Sequence, residues 1–475
     1  MIQIKSNIFS DGKYLRYMIF DKDRFMYVGN DFLRNVKTID FSDKYIYPGF
    51  IDSHTHLLWY GMNLVRCNLF GVTSEDEIYE KIKNYISDNP LIEYVIAEGF
   101  DESTFAKPSL PSRKTLDRIF GKIPIIVKRI CGHVAVLNTE SFNLLKKYIS
   151  ENYESETGIL REGIVLSLNS VLKPKMKEKL LAMKEAQRKF FSLGITSIGD
   201  MGTSDSLDIY KSDELILDVF FYYPANYSEK LIGWKNKKNV KLKGLKLFTD
   251  GSIGGHTAAI YLPYKNTDST GNIELSDDDF KLSVSIAKKR GYQLAIHAIG
   301  DRAIDFALKH IEKRTNDRIE HFELASREQI LKTKKQKVFL SMQPNFIGNW
   351  SMKGQMYEMM LDKRYFKFNN SVNIISKESI PMGFGSDCMP PSPIYGIKSL
   401  KMAQFTNQRM EQLKAFEYYT EGSAKIMCEE KKLGKIKKGL ISDFVVLNNR
   451  IEDIGKKPVS VEATFKKGKQ VFTKE

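Results

Sequence analysis

Short apolar runs, each followed by polar residues and then a stretch of helical character, recur through the middle of this 475-residue chain. Phe50-Ile51 comes first, then Gly194–Gly199, Leu215–Tyr223, Leu245–Phe248, Leu294–His297, Arg318–His321, Val338–Met342 and Pro381–Gly385. Runs this short, separated by helix-length segments, are the pattern of parallel strands alternating with helices. There are eight of them, the number that closes a (β/α)8 TIM barrel.

The two ends of the chain read differently. Tyr14–Phe20 and Phe25–Val28 flank Asp21-Lys22-Asp23, a hairpin signal. Near the other end Asp443–Leu447, Ala463–Phe465 and Val471-Phe472 repeat the pattern around a Lys466–Lys469 turn. Both termini are therefore expected to meet in one small composite β-sandwich domain, formed by 1–47 and 433–475, beside a barrel spanning 48–432.

One stretch breaks the alternation. About 140 residues separate the first two runs, far more than a crossover helix needs. They include helix-like Glu75–Tyr85 and Ser141–Tyr148 and strand-like Tyr94–Ala97 and Pro124–Val127. This predicts an α+β insertion over roughly 60–172, rooted at the top of the barrel where it would roof an active site. Lys173–Leu193 is predicted to be the helix that leads into the second strand.

Composition narrows the class. With 42% hydrophobic residues the chain can bury a large core. The net charge of +15 would suit nucleic acid or an anionic substrate, but Lys and Glu alternate along the chain and the aromatics lie inside apolar runs rather than between arginines. The expectation is a solvated basic surface, with no nucleic acid bound. Cys67, Cys131, Cys388 and Cys428 are far apart and form no CxxC, as in a reduced cytoplasmic protein. No 18-residue apolar span and no signal-like start are present, so no membrane association is expected.

Barrel chemistry gathers at the carboxyl ends of the strands. His54 and His56 end the first run one residue apart, so a strand's period of two puts both imidazoles on one face. Lys246 lies on strand four, His297 on five, His321 on six and Asp387 just past eight. Four neutral imidazoles and a carboxylate suit two divalent metals of the zinc type, with manganese or iron as alternatives. Lys246 points where an ammonium would repel such ions. A lysine desolvated near cations is pushed towards its neutral amine, which can add carbon dioxide to give an anionic, bidentate carbamate able to bridge two metals. The plainer alternative is a barrel lysine paired with Asp250 or Asp200.

At this point the chain resembles the amidohydrolase superfamily, in the amidohydrolase-3 branch that includes N-substituted formamide deformylase. The residues carrying the resemblance are Pro48–His56, Leu245–Gly254, His297–Ala303, Arg318–His321, Gly385–Cys388 with Pro390–Pro393, and the tail from Leu433 to Leu447. The resemblance implies that His54, His56 and Asp387 hold one metal, His297 and His321 the other, and carboxylated Lys246 bridges them. It implies hydrolysis of a C–N bond, most often an amide, of a small molecule by a hydroxide shared between the metals, with Asp387 moving the proton. Homodimers are common among such barrels, and the sequence marks no interface.

Other residues have two readings each. His256 stands where the branch commonly has a small residue followed by Arg-Thr-Ala, and either contacts substrate or fills space. His133 resembles a segment near the branch's substrate pocket, or is structural. Arg302 would bind a substrate carboxylate or, in the favoured reading, pair with an acidic neighbour. Asp301 would cap the following helix or orient a ligand; His310 reads as a packing residue and Cys388 as no nucleophile. Three rivals remain: a non-catalytic binding relative, ester or lactone hydrolysis or isomerisation at the same site, and a nucleic-acid binder. The first is disfavoured because all six ligand positions are filled. Trp59, Trp350 and Phe346 favour an apolar or aromatic group on the substrate.

Overall fold

A computed structural model describes residues 1–90, 92–129, 134–149, 153–154, 156–161, 165, 172–311 and 316–474. Eight strands form one all-parallel sheet in chain order: Phe50–Thr55, Ile195–Met201, Asp218–Pro224, Val240–Phe248, Gln293–Ala298, Arg318–His321, Phe339–Met342 and Met382–Phe384. They are called barrel strands one to eight below. The sheet curls so that the eighth strand returns beside the first. Just past it, Asp387 N–H donates to His54 O at 2.8 Å. Gly385 permits this approach, because a Cβ there would lie 2.5 Å from the backbone nitrogen of His54. This is the (β/α)8 TIM barrel expected from the apolar pattern.

The crossovers depart from the regular form. Strands two to four are joined by little more than the single turns Leu207–Tyr210 and Ala225–Leu231, whereas Asp277–Arg290, Asp301–His310 and Arg327–Gln336 are full helices. Asp277–Arg290 shows why such a segment folds as a helix. Ser276 caps it by accepting from Asp279 N–H, three aspartates fill its first turn, and Lys288, Lys289 and Arg290 its last.

The termini meet as expected. Their strands hydrogen-bond in one seven-stranded order: Lys469–Thr473, Val461–Lys466, Phe444–Leu447, Lys37–Pro48, Ile2–Ser10, Lys13–Asp21 and Arg24–Gly29. The hydrogen-bonded order is continuous, with a register shift between Ser6 and Asn7, the kind of irregularity that bends a sheet. One face closes over Ile4, Ile8, Phe20, Phe25, Phe444 and Phe465.

The terminal sheet and the barrel together form one compact unit, Met1–Leu57 with Gln187–Glu475. A buried charge cluster explains the union. Lys466 Nζ, from the terminal sheet, lies 2.7 Å from Asp218 at the start of barrel strand three and 2.6 Å from Asp443.

The second compact unit, Leu58–Ala186, contains the stretch expected as the insertion, roughly 60–172. Its six-stranded sheet has the order Tyr153–Glu154, Ile159–Arg161, Val134–Leu137, Ile125–Arg129, Val95–Phe100 and Cys67–Asn68, and it carries helices Glu75–Asp88, Arg113–Phe120 and Thr139–Leu145. Separate apolar clusters, one around Ile78, Phe100 and Leu116 and one around Ile126, Leu145 and Leu160, fill it. Among the described residues no helix is long and apolar enough to cross a membrane.

Candidate metal centre

Barrel strand one runs to Thr55, and its alternation turns Asp52, His54 and His56 to one face. His54, His321 and Asp387 each offer a ligating atom within 4.8 Å of the others. The imidazole rings form a chain, with centroids 5.5 Å apart for His54 and His56, 4.7 Å for His54 and His321, and 4.5 Å for His297 and His321. Asp387 Oδ1 lies 3.0 Å from His56 Nε2 and 3.6 Å from His54 Nε2. Lys246 is buried within electrostatic reach of all four histidines and of Asp387. The six residues singled out from the sequence thus share one end of the barrel.

Each imidazole is oriented from behind, which fixes which nitrogen faces inward. His54 Nδ1 lies 2.6 Å from Glu320 Oε2, so Nδ1 carries the proton and Nε2 is bare. His56 Nδ1 lies 3.0 Å from the Met201 carbonyl, which can only accept, and Nε2 again faces Asp387. His321 Nδ1 lies 2.8 Å from Gln343 Oε1, and the Gln343 amide is held in that sense because its NH2 donates to Ser341 O at 3.3 Å. His297 is reversed: its Nε2 lies 2.9 Å from Gly251 O, leaving Nδ1 free. The bare nitrogens of His54, His321 and His297 are thereby turned towards where a divalent ion would sit.

The electrostatics keep three of the four imidazoles in ligating form. Burial drives the pKa of His54 and His321 well below the usual imidazole value and that of His297 to about 3. His56 differs, because the Asp387 carboxylate outweighs burial and raises its pKa. Burial also lowers Lys246 to about 8, so roughly one amine in ten is neutral at pH 7 before any cation approaches. Lys246 Nζ has no hydrogen-bond partner among the described residues. Neither carboxylate proposed as its partner is available. Asp250 accepts backbone N–H groups from Ala259, Ile299 and Gly300, and Asp200 accepts from Leu57 N–H and the Tyr210 hydroxyl.

Left-handed backbone at non-glycine residues marks the same rim: His321 (φ 71°), Phe322 (φ 52°), Asp387 (φ 52°) and Cys388 (φ 59°). Such conformations cost about 1–3 kcal/mol each and persist only where surrounding bonds enforce them. Here Phe322 N–H donates to Ala298 O at 3.1 Å, and Asp387 N–H is held by His54 O.

The remaining residues singled out from the sequence are placed as follows. His256 stacks on Tyr264, with centroids 4.7 Å apart. The Arg302 guanidinium donates to the backbone carbonyls of Thr270 and Gly271, the latter at 2.6 Å, which corrects the expected pairing with an acid; it fastens the loop after strand four. Asp301 accepts from Tyr261 N–H and the Tyr365 hydroxyl rather than orienting a ligand. His310 packs between Phe280 and Phe306 and pairs with Asp277. Burial raises the pKa of the Cys388 thiol well above its ordinary value, so it is no nucleophile. His133 lies outside the described residues.

Sequence reasoning assigned no role to Glu320, Arg318 or Gln343. The signal was present for the first two: opposite charges two residues apart inside an apolar strand must face the same way and pair. Arg318 and Glu320 are indeed fully buried inside the barrel and joined as an ion pair. Gln343 had only its position one residue past strand seven.

An eight-stranded parallel barrel with this donor set at the carboxyl ends of its strands has the fold and site of a metal-dependent hydrolase. Residues 37–472 match the profile of the Amidohydrolase family, in its amidohydrolase-3 branch, and the chain belongs to that family. It is 27% identical over 454 residues to the putative amidohydrolase YtcJ of Bacillus subtilis, covering 85% of this chain and 84% of that one. It is 23% identical over 312 residues to the N-substituted formamide deformylase of Arthrobacter pascens, covering 58% of this chain and 57% of that one. An uncharacterized metal-dependent hydrolase from Pyrococcus furiosus superimposes with a TM-score of 0.84 at 27% identity, over 95% of this chain and 99% of that one.

Proposed function

We propose that the chain is a binuclear metal hydrolase that cleaves a C–N bond, in the first instance an amide, of a small molecule in the cytoplasm. The observation that carries this reading is Lys246: a buried amine without a hydrogen-bond partner among the described residues, its pKa lowered by burial, set among four imidazoles and a carboxylate. An unpartnered buried amine costs free energy unless something completes it. Addition to carbon dioxide does so: the Nζ lone pair forms the N–C bond, one proton leaves, and the carbamate carries a negative charge and two donor oxygens.

His54, His56 and Asp387 would then hold one divalent ion, His297 and His321 the second, and the Lys246 carbamate would span both. Zinc suits imidazole and carboxylate donors best, with manganese and iron as the other candidates. Two such ions, when bound, lower the pKa of water and polarise a carbonyl. The chain's own part is positional. Asp387 stands between the strand-one histidines, where its carboxylate can take a proton from attacking water and return it to the leaving nitrogen. Glu320, Gln343, Met201 O and Gly251 O hold the imidazole rings so that no donor must reorient during the reaction.

Metal quantification on purified protein, together with a hydrolysis screen over N-acyl amino acids, formamides, cyclic imides and lactones, tests the reading. About two divalent ions per chain are expected, with Lys246→Ala losing one or both along with turnover. A Lys246→Ala protein that keeps full activity without added carboxylates refutes the bridging role. Turnover of lactones alone would move the activity to esters.

A further inference from the structure

We infer that Phe248 is a specificity-determining residue of this site and that the substrate carries an apolar, ring-sized group next to the bond that is cleaved. Residues two apart on a strand share a face, so Phe248 stands directly above Lys246 on the inward side of barrel strand four. Its ring centroid is 4.9 Å from Lys246 Nζ and 5.6 Å from the His297 ring.

Its exposure is what separates it from a packing residue. Leu245, Lys246 and Leu247 are buried, yet Phe248 is 49% exposed. The neighbouring aromatic on the other side of the histidines behaves in the opposite way: Phe346 lies nearly parallel to His321, packs on Trp350 and is 4% exposed. Rings thus run in a row, from Phe248 through His297 and His321 to Phe346 and Trp350, and the Phe248 end is bare. A large apolar face left open beside a polar cluster loses water when a flat apolar group covers it, and ring pairs at such spacings attract beyond the area they bury. Arg302, the cation expected from the sequence to receive a carboxylate, is engaged by the Thr270 and Gly271 carbonyls.

The inference rests on the proposed metal site, and hydroxamates separate the two claims because they chelate divalent ions whatever group they carry. Calorimetric binding of benzohydroxamate and acetohydroxamate to metal-loaded protein should favour the benzo compound by about tenfold. In Phe248→Ala, with metal content measured alongside, that ratio should fall to about twofold, and Phe248→Leu should lie between. A wild-type protein without the preference, or a Phe248→Ala protein that retains it, overturns the assignment while leaving the metal centre standing. If neither compound binds the wild type, the metal centre itself is refuted and the inference falls with it.

Discussion

Glu320→Gln removes one charge from the barrel interior and almost nothing from its shape. Glu320 and Arg318 are both fully buried, and the guanidinium contacts both carboxylate oxygens, Nη2 to Oε2 at 2.8 Å. Breaking a buried pair from one side costs about 3–5 kcal/mol, because the remaining charge is left uncompensated. Arg318 keeps its bonds to Ser53 O at 2.7 Å and to the Tyr222 hydroxyl at 3.3 Å, which places the expected loss near the lower end, about 3 kcal/mol. The second effect reaches the metal centre. An amide can present NH2 to His54 Nδ1 as readily as oxygen, so the ring is no longer held with Nε2 bare, and metal affinity should fall by about 10–100-fold.

Urea unfolding of the metal-free protein measures the first effect, and chelator competition the second. The pH dependence has a definite sign. Burial alone would raise the Glu320 pKa, but Arg318 outweighs it and holds the carboxyl below its usual range. A carboxylate with a depressed folded pKa contributes stability above its unfolded value, about 4.3, and loses that contribution as pH falls through the folded one. The difference between wild type and variant should therefore be complete at pH 7 and shrink only below about pH 4. A variant with unchanged urea stability and unchanged metal affinity would refute the argument.

Three other outcomes follow from the same geometry. Asp387→Asn, which keeps the side-chain shape, should retain most of the metal while turnover drops by about 10²–10⁴-fold; full turnover would remove the proton-carrying role. Lys466→Met leaves Asp218 and Asp443 buried without their shared ammonium and should cost about 3–5 kcal/mol in urea, with metal content per folded chain unchanged. Chelation should leave the circular dichroism spectrum intact, because the strand ladder and the buried Arg318–Glu320 pair hold the barrel through protein groups alone; unfolding on metal removal would make the ions structural.

The places where the strands depart from the apolar pattern have local causes. Barrel strand three was expected from Leu215 but begins at Asp218, because Gln187 Oε1 accepts the N–H groups of Ile216 and Leu217 before a ladder can form. Strand four begins at Val240, five residues ahead of its apolar run. Lys241 and Lys243 hid those residues, and both are held by Glu429. Arg302 misled for a different reason: a guanidinium looks the same in sequence whether it will meet a carboxylate or two backbone carbonyls. The insertion's helices and strands were legible because each carries its own apolar pattern.

What the sequence determined by itself was the set of donors and their common direction. Residue type supplies the lone pairs, and the period of two aims them wherever a strand ends. Tertiary structure decided their chemical state. His54 is neutral, with Nε2 bare, because Glu320 lies 266 positions away in the chain and 2.6 Å away in space. Lys246 has no hydrogen-bond partner among the described residues because the nearby aspartates bind backbone N–H groups that belong to other loops. A proton's location is set by the groups that surround it, and only closure of the barrel brings those groups together.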